Sequence, residues 1–333
     1  MNITKRFLSK IQSEPVLIGI LHLIDLLCLY NDADQIKRGR PYVYPTTVIL
    51  RCFVVRIWFR IPSNNALHYF LSIDTANNRK IIKSCGLYSL PDRRTFDRRF
   101  KAIPVQDIIS TVGQWFLREG IAERTVAADS AMIQCKKVWH RSDMKKRRLP
   151  VSGIDTDARW GFSKAKGWMF GYKLHMSCST GKLAVPLTAC ITTANTYDPH
   201  MYDILIEPLS GLASYVAADS IYSGKKLHDY SEKKGIILVC PIKRYRHTKG
   251  ERLKRHHFFM SRKAQRIIRK RGAIERMFDR VKDTYRIEPL AVRGYLNVSS
   301  YVLACVFVYQ IAIYYNCVIG RTRPQCVKHM IGC

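Results

Sequence analysis

Two stretches of the chain carry the same five residues, Val126-Ala-Ala-Asp-Ser130 and Val216-Ala-Ala-Asp-Ser220. Each places a carboxylate, Asp129 or Asp219, at the end of a short apolar run of the kind that forms a buried central strand. A carboxylate buried there is costly unless a cation or hydrogen-bond donors compensate. Backbone N–H groups at a strand end would satisfy either acid alone. Two such acids on neighbouring strands repel each other, and a hard divalent cation such as Mg²⁺ answers that repulsion with an oxygen ligand set that keeps water for chemistry.

A third acid lies on the basic stretch Arg269-Lys-Arg-Gly-Ala-Ile-Glu-Arg-Met-Phe-Asp-Arg-Val-Lys282. Ile267, Ile274, Met277, Phe278 and Val281 mark an inward stripe, with Glu275 beside it. Arg271 and Lys282 stand four residues before and seven after Glu275, roughly on one helix face. A plain Arg271–Glu275 surface ion pair fits the same spacing, and Asp279 and Asp283 compete as acids. Spacing alone does not choose among them.

Composition narrows the substrates. The 333 residues contain 56 Lys and Arg against 25 Asp and Glu, a formal charge of +31. Such a charge repels itself unless polyanions are near, which points to nucleic acid or an anionic membrane and away from small neutral metabolites. Residues 243–286 alone hold 17 basic residues against 4 acidic ones, so phosphate contacts and a steep salt dependence are expected. Eleven cysteines form no C-x-x-C pair. His247, His256 and His257 lack a matching ligand set, so neither a zinc site nor a disulfide framework is indicated. A reducing compartment follows. With 47% apolar residues, the chain can bury a core.

The elements that must position these acids fall in two parts. Residues 1–118 read as a helical domain. The run Val48 to Phe59 is apolar nearly all round and marks a central helix, followed by Ala66–Ser72 capped through residues 62–65 and by Asn78–Cys85 ending at Gly86. A basic helix capped by Ser89 or Asp92 then carries Arg93, Arg94, Arg98 and Arg99. Short helices ending in a basic one suit a helix-turn-helix DNA reader, and equally a solvated basic face. From residue 119 to 325 the pattern becomes strand, hairpin, helix, strand, helix, strand, helix, a mixed sheet flanked by helices. Residues 135–167 read as an exposed loop, Gly167–Ser177 and Lys182–Thr193 as a hairpin, Pro199–Leu212 as a helix, and Ser261–Arg286 as one long basic helix. Tyr245, Phe258, Phe259, Trp160 and Trp168 lie among the charges, fit for core packing or for stacking on unpaired bases. The uncharged stretch 294–320 is long enough to span a membrane, but its polar interruptions favour a buried core helix. The first residues have no apolar leader pattern.

Taken together, Val126-Ala-Ala-Asp129, the segment Asp157-Ala-Arg-Trp-Gly-Phe-Ser163 leading to Gly171-Tyr-Lys-Leu-His175, Ala218-Asp-Ser-Ile-Tyr222 and Arg271-Gly-Ala-Ile-Glu275 with Lys282 resemble the DDE transposases of bacterial insertion sequences. The resemblance covers about residues 120–320 and implies an RNase H-like catalytic domain preceded by an all-α DNA-binding domain. It also implies that Asp129, Asp219 and Glu275 are the catalytic acids and hold divalent metal, Mg²⁺ or Mn²⁺, as two ions. The DNA contacts it implies are Arg271, Lys282, Arg276, Lys173 and Tyr222, with Arg93, Arg94 and Arg98 from the N-terminal part. Ile268 stands where one subgroup of the family has a tyrosine, and only 56 residues separate Asp219 from Glu275. The implied partners are double-stranded DNA, as element ends and target, and a second copy of the chain. The implied place is the cytoplasm, at the nucleoid. A related nuclease without strand transfer, a non-catalytic DNA-binding regulator and a basic membrane-associated protein are the competing readings.

Overall fold

The computed structural model describes residues 5–27, 42–163 and 166–331. The chain divides into two compact units, residues 1–108 with 303–333, and residues 109–302.

The first unit is helical. It contains α1 (Lys5–Ser13), α2 (Val16–Leu26), α3 (Thr46–Trp58), α4 (Asn64–Ser72), α5 (Ala76–Cys85) and α6 (Arg93–Ala102), and α7 (Val105–Arg118) begins in it. Helix α3 is buried on nearly every side, as its all-round apolar run requires. Its Phe53 stacks on Phe100 of α6 with ring centroids 4.2 Å apart. The local signals behave as their chemistry dictates. Ser63 Oγ accepts from the Ala66 N–H, Gly86 ends α5 at φ +78°, and Asp92 caps α6 by accepting from the Arg94 N–H. Within the basic helix α6 the arginines divide. Arg93, Arg94 and Arg98 are exposed. Arg99 is buried, donates to the Tyr44 carbonyl and the Thr46 hydroxyl, and lies 3.6 Å from the Tyr42 ring. It is a structural residue.

The second unit is built on a six-stranded sheet ordered β2-β3-β1-β5-β6, with β4 also on β3. The strands are β1 (Thr125–Gln134), β2 (Arg159–Ser163), β3 (Gly167–Ser179), β4 (Pro186–Thr193), β5 (Tyr215–Ala217) and β6 (Ile237–Val239). Strand β3 is long enough to pair with β1 along one side, and with β2 and then β4 along the other. These pairs are antiparallel, whereas β1–β5 and β5–β6 are parallel. Four strands in antiparallel pairing, continued by two parallel ones and flanked by helices, make the mixed sheet expected of an RNase H-like domain. Helix α9 (Tyr202–Ile206) packs on β3 and β4, α10 (Lys225–Lys233) on β6, and α13 (Gly272–Tyr285) on β1 and β3.

Several elements differ from the sequence reading. The loop 135–167 contains α8 (Arg141–Lys145) and strand β2. The hairpin turn is longer than four residues, since β4 begins only at Pro186. The helix expected over 199–212 is α9 between two short 3₁₀ turns, because Pro208 lacks the N–H that would extend it. The basic helix expected over 261–286 is broken once, into α12 (Arg262–Arg269) and α13, and a further helix, α11 (Gly250–Met260), precedes it. The split falls at Lys270–Arg271, where both N–H groups bond three residues back and Gly272 follows, a poor helix former. Helix α14 (Tyr295–Val318) is the buried core helix expected: by length and composition it could cross a membrane, yet 72% of its most apolar window is buried inside the protein. One of its polar residues, Asn316, donates to the Pro324 carbonyl.

Candidate active site

The repeated pentapeptide is placed by strand pairing. Strands β1 and β5 are adjacent and parallel, with Val126 opposite Val216 and Ala127 opposite Ala217. The same offset of ninety carries Asp129 onto Asp219 two residues further on, both with the side-chain parity of that last pair. Asp219 sits just past the end of β5, where its carboxylate accepts from the Ile221 N–H at 2.9 Å and caps a 3₁₀ turn. Asp129 accepts from its neighbour's Ser130 N–H at 2.8 Å.

Helix α13 brings the third acid. The break before Gly272 leaves Arg271 at the head of the helix, and its guanidinium reaches two carboxylates at once. Nη1 donates to Asp129 Oδ2 at 3.0 Å and Nη2 to Glu275 Oε1 at 2.6 Å. The Arg271–Glu275 pair therefore exists, and it extends to Asp129 rather than ending at the surface. Burial, helped by the charges of Asp219 and Asp198, pushes the Asp129 carboxyl up to about 6 against the pull of the Ser130 N–H and Arg271. Asp129, Asp198, Asp219 and Glu275 line one cleft of about 790 Å³, with Lys173, Lys243, Asp279 and Lys282.

The other expected contacts sort themselves by burial. Lys282 lines the cleft, donating to the Met132 carbonyl and to Glu288; burial pulls its ammonium down and Glu288 opposes. Lys173 is largely buried, and its ammonium donates to Asp198 Oδ1 at 2.7 Å and the Thr196 carbonyl at 2.8 Å. Two of its three N–H donors are thus used. Arg276 is exposed outside the cleft. Tyr222 is not at the surface. It is fully buried, its ring 5.7 Å from that of Tyr202, its hydroxyl without a hydrogen-bond partner. Burial and then the charges of Asp198, Asp129 and Asp219 push that hydroxyl up. A buried phenol between strand ends cannot touch a duplex, so the expected Tyr222–DNA contact is replaced by a packing role beneath the acids.

Asp198 is the residue that sequence reasoning missed. In the sequence it stands directly before the helix expected over 199–212. It follows β4, lines the cleft with the three expected acids, and forms a buried pair with Lys173. Only its position after a strand of the same sheet could have signalled it.

Among the described residues, no three His, Cys, Asp or Glu side chains form a ready metal-ion shell; Arg271 stands between Asp129 and Glu275 instead. The donor chemistry nevertheless fits a hard divalent cation. Asp129 and Asp219 offer only oxygen, they line the same cleft, and Asp129 carries an electrostatic burden that a cation would relieve.

The sequence model of a family described as "Transposase DDE domain" matches residues 122–311. No curated protein matches the chain. Among solved structures, the chain is similar to one described as "Cryo-EM structure of piggyBac transposase synaptic complex with hairpin DNA", at 12% identity over 95% of this chain and 78% of that chain, with a TM-score of 0.43.

Proposed function

Because the chain belongs to the transposase DDE-domain family, we propose that it binds the ends of a mobile DNA element, cuts them by metal-dependent phosphodiester hydrolysis and joins the freed 3′-OH ends to target DNA. The observation that carries this reading is the convergence of Asp129, Asp219 and Glu275 on one cleft that also holds Lys173, Lys243 and Lys282, with Arg271 tying the first acid to the third.

Asp129, Asp219 and Glu275 are the residues that would hold Mg²⁺ or Mn²⁺. Such ions would supply Lewis-acid activation of the attacking oxygen and charge stabilisation of the leaving one in an in-line displacement at phosphorus. The chain's own residues do the rest. Asp129 takes part as a carboxylate, which it is above pH about 6. Arg271 turns from the two carboxylates to a DNA phosphate, which accepts the same bidentate geometry. Lys282 and the remaining N–H of Lys173 hold phosphate oxygens along the cleft. Water attacks first and frees a 3′-OH; that 3′-OH then attacks target DNA in the same cleft, with no covalent enzyme intermediate.

The reading is tested with a labelled duplex bearing the element end, incubated with target DNA and Mg²⁺. Cleavage followed by joined product is the expected outcome. Glu275→Gln should bind the duplex and leave it uncut; retained cleavage would end the assignment, and cleavage without joining would make the protein a nuclease only.

The exposed arginines of α6 give an independent expectation for the helical N-terminal region. If Arg93, Arg94 and Arg98 contact phosphates, replacing all three by Gln lowers the steepness of the log affinity–log salt plot by roughly 2–3, since each phosphate contact contributes about 0.9. An unchanged slope would remove α6 from the DNA interface.

A further inference from the structure

The aromatic residues among the charges separate clearly in the folded chain. Phe258 and Phe259 pack against the Ala217, Val239, Ala264 and Ile267 cluster. Trp160 donates its indole N–H to the Trp139 carbonyl and tilts against Phe170. Three others are held out to solvent. Phe162 is 57% exposed, Trp168 52% and Tyr245 59%.

Their placement follows from the sheet. Phe162 on β2 and Trp168 on β3 are directly opposed across the antiparallel pair and meet edge to face with centroids 5.5 Å apart. The Arg141 guanidinium of α8 lies 3.8 Å from the Trp168 ring. Phe162 lines the cleft that holds Asp129 and Asp219, and so does Tyr245. Tyr245 has its own guanidinium, that of Arg252 of α11, 5.4 Å from its ring, and Arg252 lines the cleft too. Two rings, Phe162 and Tyr245, thus line the same cleft as the acids, with Arg252 beside Tyr245 and Arg141 over the Trp168 ring that packs on Phe162. Large apolar rings exposed at a concave site call for an occupant. The lysines and arginines along the cleft suit phosphates, and the flat rings suit flat faces to stack on. A cleft of about 790 Å³ lies in the size range of ligand pockets.

We propose that the β2–β3 hairpin with Phe162 and Trp168, and the loop bearing Tyr245, form a clamp for unstacked bases of single-stranded DNA at the cut end. Phe162 and Trp168 stack one base and Tyr245 another, while Arg141 and Arg252 neutralise the adjoining phosphates. The clamp draws the strand past Asp129 and selects an end whose bases are already unpaired. It rests on the reading of the cleft as a DNA-cutting site.

The test uses the full chain in EDTA, so that no cutting occurs, with an oligothymidylate and a duplex of equal length. Binding is read by fluorescence anisotropy of the labelled DNA and by intrinsic tryptophan emission. The wild type should bind the single strand with quenching of tryptophan emission. Because stacking contributes about 1–3 kcal/mol per base, Phe162→Ala, Trp168→Ala and Tyr245→Ala should each weaken single-strand binding roughly 5- to 100-fold and duplex binding less than twofold. Trp168→Phe should keep the affinity and lose most of the quench. Equal losses on both DNAs, or no loss on either, would overturn the clamp. So would a change in sedimentation of Trp168→Ala, which would make the aromatic pair a self-association surface. Wild-type protein that cuts DNA with Mg²⁺ but shows no quench would sink the clamp alone; protein that binds neither DNA would sink the cleft's assignment as well.

Discussion

Replacing Asp129 by Asn should make the protein more stable at neutral pH while removing its DNA-cutting activity. The carboxyl titrates at about 6 in the folded chain against 3.8 for an unperturbed aspartate. At 1.36 kcal/mol per pKa unit, the ionised form is disfavoured in the fold by about 3 kcal/mol. The sign follows from proton linkage. The folded state binds the proton more tightly than the unfolded one, so stability falls as pH rises from about 4 to about 6 and stays lowered above that. Asparagine escapes the penalty and still offers Arg271 a carbonyl. Thermal unfolding at pH 7.5 without divalent cations should therefore give Asp129→Asn a midpoint roughly 5–10 °C higher, with the gap closing at pH 4. Adding millimolar Mg²⁺ should raise the wild type and leave the variant unmoved. Cleavage should fall roughly a thousandfold or more, the several kcal/mol that charge stabilisation at phosphorus supplies. A variant that is less stable at every pH would mean that the Arg271 contact outweighs the burial, and the strain assigned to Asp129 would be wrong.

A second large effect is expected far from the acids. A methyl group at Gly113 of α7 would stand 2.1 Å from the Leu187 carbonyl oxygen at the start of β4. That oxygen is main chain of β4, at the irregularity where the β3–β4 pairing skips Leu187, so it cannot swing aside as the tip of a side chain could. Overpacking a core typically costs about 1–3 kcal/mol when side chains can shift; here the helix itself must retreat from the sheet. Gly113→Ala should cost at least about 3 kcal/mol, a large share of the 5–15 kcal/mol that holds a typical domain together. Gly120→Ala serves as the comparison. Gly120 has φ +67° with nothing within 4 Å of the added carbon, so only the left-handed backbone is penalised, by about 1 kcal/mol. Urea unfolding of both variants measures the difference. Equal losses would show that α7 has room to move.

The contrast between these positions also shows what the sequence could and could not disclose. The paired acids were legible because strands impose a period of two, and identical pentapeptides in adjacent parallel strands fall into register without further instruction. The cap at Asp92 and the stop at Gly86 were legible for a similar reason, since both depend on residues two to four apart. What escaped depends on tertiary neighbours. The break before Gly272 is one glycine in an otherwise continuous helical pattern, and nothing local says that Arg271 will turn toward Asp129. Arg99 looks like its exposed neighbours until Tyr44 and Thr46 arrive from some fifty residues away. Tyr222 and Asp198 owe their places to packing between β4, the turn after β5 and Lys173, which periodicity does not encode.

The ladder that joins β1 to β5 has an evolutionary corollary. Pairing of residues 125–127 with 215–217, between strands about 4.8 Å apart, delivers Asp129 and Asp219 to the same end of the sheet. Insertions and deletions outside the β1–β3 ladder, which sets Met176 opposite Asp129, would leave the two acids undisturbed, whereas changes within β3 would not. Glu275 enjoys no such immunity: it hangs on a helix whose start is fixed by a single glycine, and a one-residue slip in α13 would turn it by about 100° out of the cleft.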